Sequence, residues 1–209
     1  MRVGFVPGVT PDKWARAWRE RRPRTPLELV PLGDADGVGM LRRGELALCF
    51  VRLPVDRDGL HLIPLYDEQP VVVVAAEHPV AAYDEVDVTD LADEHLLQDP
   101  DEVPAWREVA AEVADGTRFP VPAMDLRAAV ESVAAGAGVL IVPMSLARLH
   151  RRKDVRGVPV SGVPTTTVAL AWPQAAADER VEEFIGVVRG RTPNSSRGAA
   201  QPTRRRRRR

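Results

Sequence analysis

The apolar positions of the chain come in short runs that switch repeatedly between strand and helix spacing. RVGFV opens as a strand. Thr10-Pro11-Asp12 then has the order of an N-cap, a first-turn proline and an acid matched to the helix dipole, and predicts a helix through about Arg22. Trp14 and Trp18 fall one turn apart on it, opposite Arg16, Arg19 and Glu20. LELVPL is a second strand, GDADGVGMLRRGEL a glycine-interrupted helix ending near Gly44, and LALCFV a fully buried third strand. Strand, helix, strand, helix, strand favours a mostly parallel sheet covered by helices.

Further along, HLIPLYDEQPVVVVAA carries a fourth strand region that ends at Glu77-His78-Pro79. A helical turn at VTDLAD, a strand at HLLQ, a helix over PAWREVAAEVA and a short strand at FPVPA follow. Asp125 is placed to cap a helix over Leu126 to Ala135, which Gly136 ends before the strand VLIV. VRGVPV and TTVALAW are two more strands, and Asp178 caps a last helix with Val181, Phe184, Ile185 and Val188 on one face. The tail from Gly190 has no apolar period and is expected to be disordered.

Composition changes this picture in three ways. A chain of 209 residues, 44% hydrophobic, is long enough to bury a core as one domain or two small lobes. No apolar run approaches the roughly 20 residues of a membrane span, and the start lacks a secretory signal, so a cytoplasmic protein is expected. Cys49 is the only cysteine and reads as core packing; the four histidines have no metal spacing, so neither metal nor cofactor is expected. From Gly190 on there are eight arginines and no acid. Removing those eight from the 29 lysines and arginines leaves 21 against 30 acids, a charge of -9 on an acidic body with a basic tail.

Five segments in order carry a resemblance: RVGFVPGVTP, LRRGELALCFV, LYDEQPVVVVAAEHPVA, DVTDLADEHLL and AAVESVAAGAGVLIVPMSLA. Over Met1 to Val188 the chain resembles the effector-binding domain of LysR-type transcriptional regulators. The resemblance implies an α/β, two-lobe, periplasmic-binding-protein-like fold of type 2, with two crossing strands near Val73–Glu77 and Thr165–Ala169. Lobe one is then 1–74 with 168–189, lobe two 75–167, and 190–209 the basic tail. It implies a small-molecule effector in the interlobe cleft, no catalysis, and a head-to-tail homodimer using the Trp14/Trp18 face and the helix at Leu126 to Ala135, although both tryptophans could instead lie wholly in the monomer core. A full-length regulator of this type begins with a winged helix-turn-helix and a linker helix, which the sequence given does not contain, so operator binding by that route is not expected of it.

Ligands of open α/β sheets bind beyond the carboxyl ends of the strands. That places Gly8, Val9 and Thr10 after strand one, where Thr10 is either a cap or an anion contact. Asp34, after strand two, reads as a cap. Arg52, followed by Leu53, offers a fork for a carboxylate or pairs with Asp56 or Asp58. In lobe two Gln98 and Asp99 follow HLL, Met124 and Asp125 precede the long helix, and Pro143 and Met144 end the strand after the glycine pair. Asp125 is either a cap or a sign of a cationic or hydroxyl-bearing ligand.

Two other readings remain. Thr117-Arg118-Phe119 matches a motif of prephenate dehydratases, enzymes on the same scaffold, although the remaining motifs are missing and Arg118 is expected at the surface. A protein-interaction module would have its cleft filled by Met124, Met144 or Trp106. Arg204, Arg205, Arg206, Arg207, Arg208 and Arg209 are expected to bind phosphates of nucleic acid without sequence readout, the acidic body offering no dense positive field; contact with that acidic body, or no selected role at all, are the other readings of the tail.

Overall fold

The computed structural model describes residues 1–175 and 178–190; the expected tail beyond Gly190 lies outside them. In the first lobe β1 (Arg2–Phe5), α1 (Asp12–Arg21), β2 (Glu28–Pro31), α2 (Asp36–Arg42), β3 (Leu48–Arg52) and β4 (Leu60–Glu68) follow in turn. The second holds β5 (Pro70–Ala75), β6 (Val86–Asp87), α3 (Pro104–Val109), α4 (Ala111–Ala114), α5 (Leu126–Ala134), β7 (Leu140–Pro143), α6 (Met144–Leu149) and β8 (Val155–Ser161). The chain returns through β9 (Thr166–Pro173) and ends on α7 (Glu179–Val188).

One sheet has the order β2-β1-β3-β9-β4, the other β6-β8-β5-β7. Only β1 with β2 and β3, and β6 with β8, run parallel. β9 runs antiparallel to β3 and β4, and β5 to β7 and β8, so the mostly parallel sheet expected from the element order is corrected to two mixed sheets. The physical reason is the return crossing, which delivers β9 into the first sheet from the far lobe against the direction of β3. All of β5 pairs within the second sheet, so the chain changes sheets at Gln69, ahead of the Val73–Glu77 crossing expected from the resemblance.

The all-apolar runs follow from burial of both sheet faces. Leu48 and Phe50 point into a core with Trp14, Trp18 and Phe184, while Cys49 and Val51 meet Leu41, Leu46 and Leu60 on the other side. VVVV is divided likewise: Val72 and Val74 pack with Trp106 and Ile141, Val71 and Val73 with Val133 and Leu140. Trp14 stacks on Phe50 with centroids 4.8 Å apart, and Trp18 meets Phe184 edge-on at 5.7 Å. Both tryptophans therefore belong to the monomer core and present no face to a partner. Cys49 is fully buried, and loss of hydration pushes its thiol up to about 12.

Three local expectations are corrected. FPVPA forms no strand: Pro120 and Pro122 cannot donate to a ladder, and residues 117–125 run without regular structure. PAWREVAAEVA breaks at Ala110, whose backbone is extended, and Ala111 donates to the Ala92 carbonyl. HLLQ contributes one bridge, Leu96 with Val139. Asp125 and Asp178 do cap α5 and α7, accepting from Ala128 N at 2.8 Å and Arg180 N at 2.9 Å.

Candidate functional site

Between the sheets lies a cleft of about 980 Å³. The first lobe supplies Asp34, Arg52, Leu53 and Pro54 at the carboxyl ends of β2 and β3. The second supplies the 97–105 loop, the segment from Arg118 to Met124, and β7; the return crossing adds Val163 to Thr166. Its walls are mainly apolar, with Leu97, Val121, Met124, Leu126, Ile141 and eight prolines. Prolines suit such a wall because they cannot leave an N–H unpaired there.

Arg52 is the most constrained polar group in the cleft. Its Nε donates to Glu68 at 2.9 Å, one terminal nitrogen to Asp34 at 2.9 Å, and the other to the Pro7 carbonyl at 3.0 Å and Ser145 Oγ at 3.3 Å. Neither Asp56 nor Asp58 offers it a carboxylate; Arg42 takes Asp56 Oδ2 and the Asp58 carbonyl. Asp34 accordingly is an ion-pair partner and not a cap. Glu68 is the one buried charged residue among the described residues. Ser145 belongs to the second lobe, so the guanidinium ties the lobes together.

Arg118 is also half-buried here, against the expectation of a surface position. It donates to the carbonyls of Leu96 and Gln98 at 2.7 and 2.9 Å, pairs with Glu112, and lies over the Trp106 ring at 5.5 Å. His95 holds the other Glu112 oxygen at 2.7 Å. Gln98 accepts from Ile141 N at 2.9 Å and so joins the loop to β7. Nothing local in Thr117-Arg118-Phe119 signals these contacts, and Phe119 itself is exposed.

The sequence-derived candidates divide between two hollows. Arg52, Leu53, Asp99, Met124 and Pro143 line the cleft. Gly8, Val9, Thr10 and Met144 line a neighbouring hollow of about 930 Å³, together with Glu68, Gln69 and Ser145. Thr10 caps nothing, because α1 has no side-chain cap. Asp125 lines neither hollow and serves as the α5 cap. Gly8 is required where it sits: at φ +82°, a Cβ there would lie 2.5 Å from Ser145 Oγ. Trp106 is buried in the core, so the cleft stays open beside it.

Two lobes, two crossings and an open cleft define a periplasmic-binding-type ligand module. The chain belongs to the LysR substrate binding domain family, whose description fits residues 1–193. Among curated relatives it is 26% identical over 197 residues to the Hca operon transcriptional activator HcaR of Escherichia coli, covering 90% of this chain and 67% of the relative. It is 31% identical over 199 residues to the probable hydrogen peroxide-inducible genes activator of Mycobacterium avium, covering 90% and 64%. The chain thus spans about two thirds of the length of these relatives. In fold it resembles the BenM effector binding domain with its effector benzoate, with TM-score 0.68, 22% identity, and 91% and 90% of the two chains covered. The reduced form of the OxyR regulatory domain from Pseudomonas aeruginosa gives 0.67 at 24% identity, covering 90% and 96%. These relatives are transcription regulators and not enzymes.

Proposed function

We propose that this chain is the effector-binding module of a cytoplasmic transcription regulator and holds a small, largely uncharged metabolite in the interlobe cleft. The observation that carries the reading is the open cleft walled from both lobes by apolar side chains. Its chemistry narrows the ligand. Both arginines in the wall already meet acids of this chain, Arg52 with Asp34 and Glu68 and Arg118 with Glu112, and Asp99 and Glu102 add negative charge around them. A dicarboxylate entering this wall meets like charges with no free guanidinium to receive it. Arg52, Leu53, Asp99, Met124 and Pro143 are the proposed contacts; Gly8, Val9, Thr10 and Met144 shape the adjoining hollow.

A thermal-shift screen of small metabolites tests this. Neutral aromatic or aliphatic compounds are expected to raise the melting temperature, and dicarboxylates to leave it unchanged. Ala123 is exposed on the cleft wall, so Ala123→Trp is expected to fill the space and abolish the shift without weakening the fold. A hit consumed during incubation would favour an enzyme instead.

We also infer a homodimer, supported by the family; with Trp14 and Trp18 in the core, the outer face of α5 remains from the two elements expected at its interface. Light scattering is expected to give twice the 22.9 kDa of one chain, and a monomer alone would remove the assembly. Nonspecific nucleic-acid binding by Arg204 to Arg209 is supported by sequence alone.

A further inference from the structure

The groove between α6 and β8, on the second lobe and away from the cleft, has a volume of about 790 Å³. Its floor contains Val73, Ala147 and Val155, and its walls Arg148, Arg151, Arg152, Lys153 and Arg156. The nine residues from Arg148 to Arg156 hold five cations and one acid. Arg152 is neutralised by Asp154, which it grips with two bonds of 2.8 and 2.7 Å, and Glu131 stands 3.9 Å away. That guanidinium holds the Asp154 carboxyl down to about 2. Arg148, Arg151, Lys153 and Arg156 are exposed and form no ion pair with a described carboxylate.

We propose that Arg148, Arg151, Lys153 and Arg156 form a docking surface for the phosphate backbone of duplex DNA. Three of the four are guanidiniums, whose planar fork matches phosphate oxygens, and exposed long side chains reach a repeated charge without enclosing it. No aromatic side chain lines the groove, so it offers no stacking platform for unpaired bases, which favours a duplex over a single strand. Charge elsewhere orients the contact. The chain before Gly190 carries -9 in total, so a polyanion is repelled by most of the body and attracted to this face. The expectation that only the tail offers a dense positive field is thereby extended to a folded surface, independent of the effector cleft.

The test uses the full chain, tail included, and fluorescence anisotropy of a short labelled duplex of arbitrary sequence between about 50 and 200 mM salt. The variant Arg148→Gln/Arg151→Gln/Lys153→Gln/Arg156→Gln is expected to bind at least about tenfold more weakly at the lower salt. Its log-affinity slope against log salt is expected to shrink in magnitude by about 3 to 4, since each neutralised phosphate contributes about 0.9. Arg151→Gln/Lys153→Gln is expected to give about half that change. Arg16, Arg19, Arg24 and Arg57 are exposed too and form no ion pair with a described carboxylate, so replacing those four with Gln removes the same charge from other surfaces and is expected to change the slope far less. Equal losses from the two fourfold variants, or no loss from the first, would overturn the proposal. Displacement of the duplex by poly-glutamate at equal charge concentration would overturn the choice of DNA and assign the groove to an acidic protein segment.

Discussion

Replacing Arg52 with Met is expected to destabilise the folded chain by about 3–5 kcal/mol, the cost of leaving a buried carboxylate without its partner. Glu68 has 4% of its side chain exposed, and its described ionic partner is Arg52, itself 11% exposed. Met fills the space of the Arg52 stem but returns no donor to Glu68, and the Pro7 carbonyl and Ser145 Oγ lose theirs as well. The Asp34 pair contributes little by comparison, because that carboxylate is 59% exposed and water replaces the guanidinium there. Arg52→Met/Glu68→Leu is therefore expected to recover most of the loss, since a matched apolar pair removes the orphaned charge together with its partner. Urea unfolding of the three variants measures this. A loss below about 1 kcal/mol for Arg52→Met would show that Glu68 is solvated in solution and that the lobes are not tied through this hub.

The second large effect is expected at Gly138. A Cβ on Gly138, at φ +158°, would stand 2.3 Å from the His95 carbonyl oxygen, a backbone atom that cannot rotate away. That carbonyl accepts from Val139 N at 2.8 Å, and Leu97 N donates back to Val139 O at 2.8 Å, so the bridge holding the 97–99 wall of the cleft must open to make room. Gly138→Ala is expected to cost about 3 kcal/mol and to weaken ligand binding with it. Gly136, at φ +78°, has open space around its Cβ position, and Gly136→Ala is expected to cost only about 1 kcal/mol, for the left-handed backbone that ends α5. Thermal melts of the two variants check the order, and a larger loss at Gly136 would contradict the steric reading.

Those two glycines illustrate what the chain discloses on its face. Helix, Gly136 and apolar strand could be placed from the pattern alone, because a helix stop and a buried strand are local signals; the crowding at Gly138 depends on His95, far off in sequence. The same division runs through the site. LALCFV announced a buried strand ending in an arginine, but its partners Asp34 and Glu68 lie 18 and 16 residues away, and of the nearer acids Asp56 pairs with Arg42 while Asp58 gives Arg42 only its backbone carbonyl. FPVPA has strand-like composition, yet two prolines and a wall position left it without a ladder. Trp14 and Trp18 were legible as one apolar face; whether that face met a partner or Phe50 and Phe184 depended on α7 closing over the sheet. The basic run at Arg148 was equally plain in the letters, and only the pairing of Arg152 with Asp154 showed which of its cations have no ion pair among the described residues.

The cleft is tested most directly by calorimetric titration of the strongest uncharged hit from the thermal screen into the full chain and into Ala123→Trp. Burial of an apolar ligand between the lobes predicts one ligand per chain, a negative heat-capacity change, and an affinity at least about tenfold weaker in the variant. Equal affinity in the two proteins would place the ligand outside the interlobe cleft and contradict the proposed function.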